Sequence, residues 1–254
     1  MRNFLPLAWA VAVNSFVESV RHRFFTLFSV FAFTAIYASL LAGVMAVDQE
    51  ARVLADLGLA LMELTALAYV LFQVSSSLLK EAETKTIYLV FSRPVPRGAY
   101  LAGKMGGVML TAAFMLAVMG CMHLALLSFR GFPPPEAYAW ALAGSFFKLA
   151  VITAFAFFVS LFSTSSVSTL VISGIMWTLG HFVSETRFIA EQAPGVKAAL
   201  LKGAILLIPN LQLFNARDAA GVTGALSPTA VFSGAAWILA AYFASLWLLA
   251  RKEF

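Results

Sequence analysis

KEAETKTIYLVFSRPVPRGAYLAGK, residues 80–104, is the stretch that decides how this chain is laid out. It carries five basic residues, Lys80, Lys85, Arg93, Arg97 and Lys104, and two prolines, Pro94 and Pro96. Long apolar runs flank it on both sides. A Lys or Arg at the centre of a bilayer costs about 2.5–3.5 kcal/mol on insertion scales. So dense a cluster of charge therefore stands in water, and the island marks one face of a membrane.

Composition agrees with that placement. The 254 residues are 61% hydrophobic and 11% charged, with a mean hydropathy of +0.90, whereas soluble domains hold about 25% charged residues. A chain of this kind takes the bilayer as its solvent. Runs of about 20 apolar residues are needed to cross it, and six stand out: 24–47, 57–79, 105–127, 138–162, 167–183 and 229–250. The fifth is short and needs residues from its flanks. A seventh run, 198–208, is about half a span long, contains Lys202 and ends at Pro209-Asn210. It is expected to be an interfacial or re-entrant helix.

Six spans place both termini on one side. With that side cytoplasmic, the inner segments hold ten basic residues and the outer segments six, the bias that the positive-inside rule requires. The +5 net charge is thus a matter of membrane orientation and not of nucleic-acid binding. Residues 4–22 place Trp9, Val13, Phe16, Val17 and Val20 on one helical face and Asn14, Glu18 and Arg21 on another. This predicts an interfacial helix ahead of the first span, with an early start to that span as the alternative. The N-terminus lacks the pattern of a signal peptide. Residues 184–228 are expected to form an outer loop with short helices. The whole is an all-α polytopic membrane protein, a single domain over 1–254.

Several chemical motifs can be weighed. Gly98-x-x-x-x-Gly103-Lys104 has most of a phosphate-binding loop, but Met105 stands where a Ser or Thr must hold magnesium, and Arg93–Arg97 replaces the preceding strand. No ATP site is expected. Metal binding is not expected, because no two of the three histidines are near each other in sequence. Ser163, Ser165, Ser166 and Ser168 have no base nearby and suit a tight hairpin between spans. Cys121 is expected to be a small core thiol. Gly103-x-x-x-Gly107 permits close helix approach, either within the chain or in a dimer.

Four ionisable groups, Glu63, His123, Lys148 and His181, fall within or at the edges of spans. Glu63 and Lys148 lie at similar depth, so an ion pair would lower the cost of each. The cluster either handles substrate or protons, or is a structural salt bridge with two histidines that stay wet near the headgroups.

The island has its own order. Residues 83–86 suit a helix start, Ile87, Leu89, Val90 and Phe91 offer an apolar face, and Pro94 and Pro96 end it. It is either a docking knob or a charged turn at the headgroups. Glu83, Thr86, the run 87–91, Ser92-Arg93-Pro94, Arg97 and Gly103-Lys104 together resemble the loop between spans two and three of ABC-2-type transporter permeases. Lys85 departs from the pattern, where that family has Gly. The segment Leu207-Ile208-Pro209-Asn210 with Phe214-Asn215 resembles the family's outer re-entrant region before span six.

The resemblance implies a permease of the cytoplasmic (inner) membrane, surrounded by lipid, that pairs with a second copy or a paralogue and docks cytoplasmic ATPase subunits. ATP and magnesium would sit on those partners, and this chain would be no enzyme. Glu83, Thr86, Ile87, Phe91, Arg93, Pro94, Arg97 and Lys104 would form the ATPase interface, with Arg93 and Arg97 opposite acids on the partner. Two other classes remain, an ion-coupled secondary transporter using Glu63, Lys148 and the histidines, and a membrane scaffold for a partner complex.

Overall fold

The computed structural model describes residues 4–46, 49–84, 95–133, 135–215 and 226–251. Among them are nine α-helices, one 3-10 helix and no strand. The helices are α1 (Phe4–Arg21), α2 (Arg23–Met45), α3 (Glu50–Glu83), α4 (Arg97–Phe129), α5 (Tyr138–Phe162), α6 (Ser166–His181), α7 (Val183–Gln192), α8 (Val196–Leu206) and α9 (Pro228–Arg251), with the 3-10 helix at Leu211–Phe214. In hydrocarbon every backbone amide must bond within its own segment, and the helix does this. Helices α2, α3, α4, α5 and α9 are long and apolar enough to span; α6 and α7 add a sixth crossing if they count as one segment bent by 58°.

Helices α3 and α5 are the most buried spans, and α2 and α9 keep most of their surface outward. The core runs through Leu54, Met62, Tyr69, Tyr100, Met115, Leu149, Ile152 and Phe157. Helix α4 begins at Arg97, earlier than the apolar run at 105. Pro96 precedes it as N-cap, and a proline can open a helix but cannot extend one backward. Cys121 is exposed on the outward face of α4, a correction to the expected core thiol: helix rotation, which apolar composition does not reveal, sets the face it occupies.

Helix α1 lies along α4 and is held by small residues. A Cβ built at Gly103 would lie 2.7 Å from the Ala8 carbonyl oxygen, and one at Gly107 2.8 Å from that of Ala12. A step of four on one helix matches a step of four on the other, so the two run in the same direction. The glycine pair thus serves packing within the chain. Ser19 on the same face of α1 accepts a hydrogen bond from Gln73 Nε2 of α3 at 2.9 Å, while Trp9 points outward.

Helix α6 follows α5 after a turn fastened by serines. Ser163 Oγ donates to the Ser165 carbonyl at 2.9 Å, and Ser165 Oγ caps Val167 N at 3.3 Å. Beyond the bend, Gly195 takes φ +60, a left-handed value that favours glycine, and turns the chain from α7 into α8. No residue of α8 is buried.

The chain then dips back into the bundle. Asn210 Oδ1 accepts from Gln212 N at 3.2 Å to start the 3-10 helix, whose Leu211 and Phe214 are buried. Three glycines on three helices receive it. A Cβ at Gly180 would lie 2.7 Å from Leu211 Cγ, one at Gly234 2.7 Å from Phe214 Cζ, and one at Gly144 would overlap the Phe214 carbonyl oxygen.

Gly107→Leu is expected to force α1 off α4 and cost about 1–3 kcal/mol, as overpacking does. The thermal midpoint of detergent-purified protein should fall. Gly203→Leu on α8, where an added side chain meets nothing within 4 Å, should leave it unchanged. Equal midpoints for the two variants would count against α1 seated on the glycine pair.

Candidate functional site

Two polar centres interrupt the apolar bundle. The first joins α3 to α5. Lys148 Nζ donates to Glu63 Oε1 at 2.8 Å and to Oε2 at 3.1 Å, and Ser145 Oγ donates to Oε2 at 2.7 Å. The Glu63 and Lys148 side chains are only 6% and 3% exposed. Ser145 and Lys148 are three residues apart and so share a helical face, which lets one helix answer both carboxylate oxygens. His181, last residue of α6, brings Nε2 to 3.8 Å from Glu63 Oε1. Residues from two helices, α5 and α6, therefore converge on the one carboxylate of α3. Ser145 was not evident from sequence; its spacing from Lys148 was the available signal.

His123 is placed differently from the sequence expectation. It is fully buried rather than wet near the headgroups, because Gly58 of α3 leaves room for the ring, which a Cβ there would overlap. Nδ1 lies 2.9 Å from Tyr138 Oη, and Nε2 lies 3.3 Å from the Leu54 carbonyl oxygen. His123 thus ties α4 to α3 and α5 and takes no part in the Glu63 centre.

The second centre lies at the roots of the polar island, where α3 ends and α4 begins. Tyr100 Oη donates to Glu81, and Lys104 forms an ion pair with the same carboxylate. Glu18 of α1 lies 4.0 Å from Lys104 Nζ. About two turns before Lys104 on α4, Arg97 Nη1 donates to the Leu249 and Ala250 carbonyls at 3.0 and 2.8 Å. These are terminal carbonyls of α9, which lack helical partners and favour a nearby cation. Tyr242 Oη of α9 donates to the Gly98 carbonyl at 3.1 Å.

Two of the residues expected at a partner interface are thereby reassigned. Lys104 is 7% exposed and turned into the bundle, because a buried ammonium needs its carboxylate, here Glu81. Arg97 is partly buried and directed at α9. Thr86, Ile87, Phe91, Arg93 and Pro94 lie outside the described residues, as does the Glu83 side chain. Glu81 and Tyr100 were not singled out from sequence, although Glu81, Tyr100 and Lys104 each recur on the faces that α3 and α4 turn to one another.

At the first centre, removing one partner leaves a buried charge alone, at a cost of about 3–5 kcal/mol, whereas removing both leaves none. Glu63→Ala and Lys148→Ala are each expected to lower the thermal midpoint more than Glu63→Ala/Lys148→Ala. Losses that simply add would contradict an energetic coupling between them.

Comparison with curated proteins gave no match. A family profile described as ABC-2 family transporter protein matches residues 51–252, a range that takes in every span after the first and both polar centres except Glu18. The chain therefore belongs to the ABC-2 family of transporter proteins.

Proposed function

We propose that this multi-pass protein is the permease subunit of an ATP-driven transporter and that cytoplasmic ATPase subunits dock on residues 80–104. The observation that carries the proposal is the fastening at the roots of that segment. Glu81 on α3 is joined to Tyr100 and Lys104 on α4, and Arg97 joins α4 to the end of α9. A push on the intervening residues would enter α3 and α4 together. It would pass to α1 through the Gly103–Gly107 seat and to α9 through Arg97. A loop on loose ends would absorb such a push instead.

On this basis both termini are cytoplasmic, the membrane is the cytoplasmic (inner) one, and a second permease copy or a paralogue completes the translocation unit. ATP and magnesium belong to the partner. Coupling requires the ATPase to hold the segment with different affinity in its two states. Arg93 supplies charge for that contact and Ile87 and Phe91 apolar area, while Lys104 and Arg97 transmit displacement from behind it. Family membership supports ATPase partner subunits in general, and the fastened roots support this segment as their seat.

Co-purification from the native membrane should bring down an ATPase subunit. Arg93→Glu is expected to lower the stimulated ATPase activity of that complex by about tenfold or more, the scale on which interfacial charges act, and to leave the thermal midpoint of the permease unchanged. Arg97→Glu should lower both, because it also uncaps α9. Full activity in Arg93→Glu would refute the assigned contact. Flux that follows an ion gradient with no ATPase bound would favour ion-coupled transport.

A further inference from the structure

Helix α6 stops at His181, beside Glu63, while α3 continues to Glu50, about 20 Å farther along its axis. The chain bends by 58° into α7 and leaves that length of α3 beside a cleft of ≈ 430 Å³. Arg52 and Asp56 stand at its mouth, 3.8 Å apart and well exposed. Its base is the Glu63–Lys148 pair. His181 is 22% exposed, far more than either member of that pair, so water entering the cleft meets the imidazole first.

The hydrogen bonds of His181 assign its tautomer. Nδ1 lies 2.9 Å from the Trp177 carbonyl oxygen. A carbonyl only accepts, so Nδ1 carries the hydrogen, and in the neutral ring Nε2 is bare. It is this bare nitrogen that faces Glu63 Oε1 at 3.8 Å. A lone pair opposite a carboxylate is repelled; a proton placed between them makes an imidazolium–carboxylate pair.

We propose that the cleft is a proton-binding site and His181 its acceptor. A proton from the aqueous phase at the Arg52–Asp56 mouth binds Nε2, and Glu63 then answers two cations, Lys148 on α5 and the imidazolium on α6. Ser145 keeps the other carboxylate oxygen. Proton binding thus fastens the end of α6, and the bend that follows it, to the α3–α5 pair; proton release frees it. Among the described residues that line the cleft or flank the ring, the charged groups are few. From α3 come Glu63, Asp56 and Arg52, and from α5 Lys148. Asn215 follows the 3-10 helix and Trp177 is on α6 itself, its ring centroid 4.4 Å from that of His181. Glu185 on α7 is occupied by Gln212 Nε2 at 2.8 and 3.0 Å. The site rests on these contacts and not on the identity of the motor. Only its assignment to the outer face rests on the proposed topology.

The test is nitrogen NMR of the full chain labelled with ¹⁵N-histidine in lipid nanodiscs, titrated from pH 8 to pH 5. The sequence has three histidines, and His181→Asn assigns the signal; should that variant not fold, His22→Asn and His123→Asn, each removing one of the other two signals, assign it by elimination. The expected result is a neutral His181 with hydrogen on Nδ1 and a bare Nε2 that gains its proton within that range. In Glu63→Gln/Lys148→Met, which leaves no buried charge alone, the midpoint should move by at least about half a unit, a threefold change in proton affinity. A neutral form with hydrogen on Nε2, no titration between pH 8 and pH 5, or an unmoved midpoint in the double variant would each overturn the proposal. None of these readouts depends on an ATPase, so they stand apart from the docking test.

Discussion

The contact between Lys148 and Glu63 sets the conditions under which the rest of the bundle is built. Two unit charges in a low-dielectric interior are tolerable only as neighbours with their remaining valences satisfied. Lys148 answers both oxygens of Glu63 and Ser145 answers one of them again. Helices α3 and α5 must therefore keep one register and one rotation. They are also the two most buried spans, so the others are arranged around a pair whose relative position is set by a polar contact.

Around that pair, packing relies on glycine. Lipid tails are as apolar as leucine, so helices in a membrane gain little from hiding apolar surface and must gain from close fit. Gly103 and Gly107 bring α1 onto α4. Gly58 admits the His123 ring. Gly144, Gly180 and Gly234 together admit the 3-10 helix, with Phe214 and Leu211 as the inserted side chains. The re-entrant segment is thus seated in sockets that a single methyl group at any of the three would obstruct.

Helix α3 belongs to both polar centres. Glu63 and Glu81 are 18 residues apart on one uninterrupted helix, a separation of about 27 Å. A rigid rod therefore connects the fastened roots of the polar island with the ion pair and the cleft beside α6. In the proposed transporter, displacement at one end is felt at the other without an intervening hinge. The shortness of α6 has the complementary effect: by ending beside Glu63, it leaves the ion pair approachable from the end opposite the island.

Much of this molecule is legible in one dimension. Five of the six expected spans, with a bent helix pair at the place of the short fifth one, the polar island, the half-length run that became α8 and the turn serines all follow from hydropathy and length, because the cost of placing a residue in hydrocarbon depends first on what that residue is. Depth along the chain also names Glu63 and Lys148 as candidates for one another. What tertiary structure decided is direction. Lys104 turns inward to Glu81, Cys121 turns outward, His123 is dry while His181 is wet, Arg97 caps α9, and the glycine pair of α4 receives α1. Each depends on how far a helix is rotated about its axis and which neighbour it meets. Those are settled by the fit of whole faces against one another, and no single run of residues carries that information.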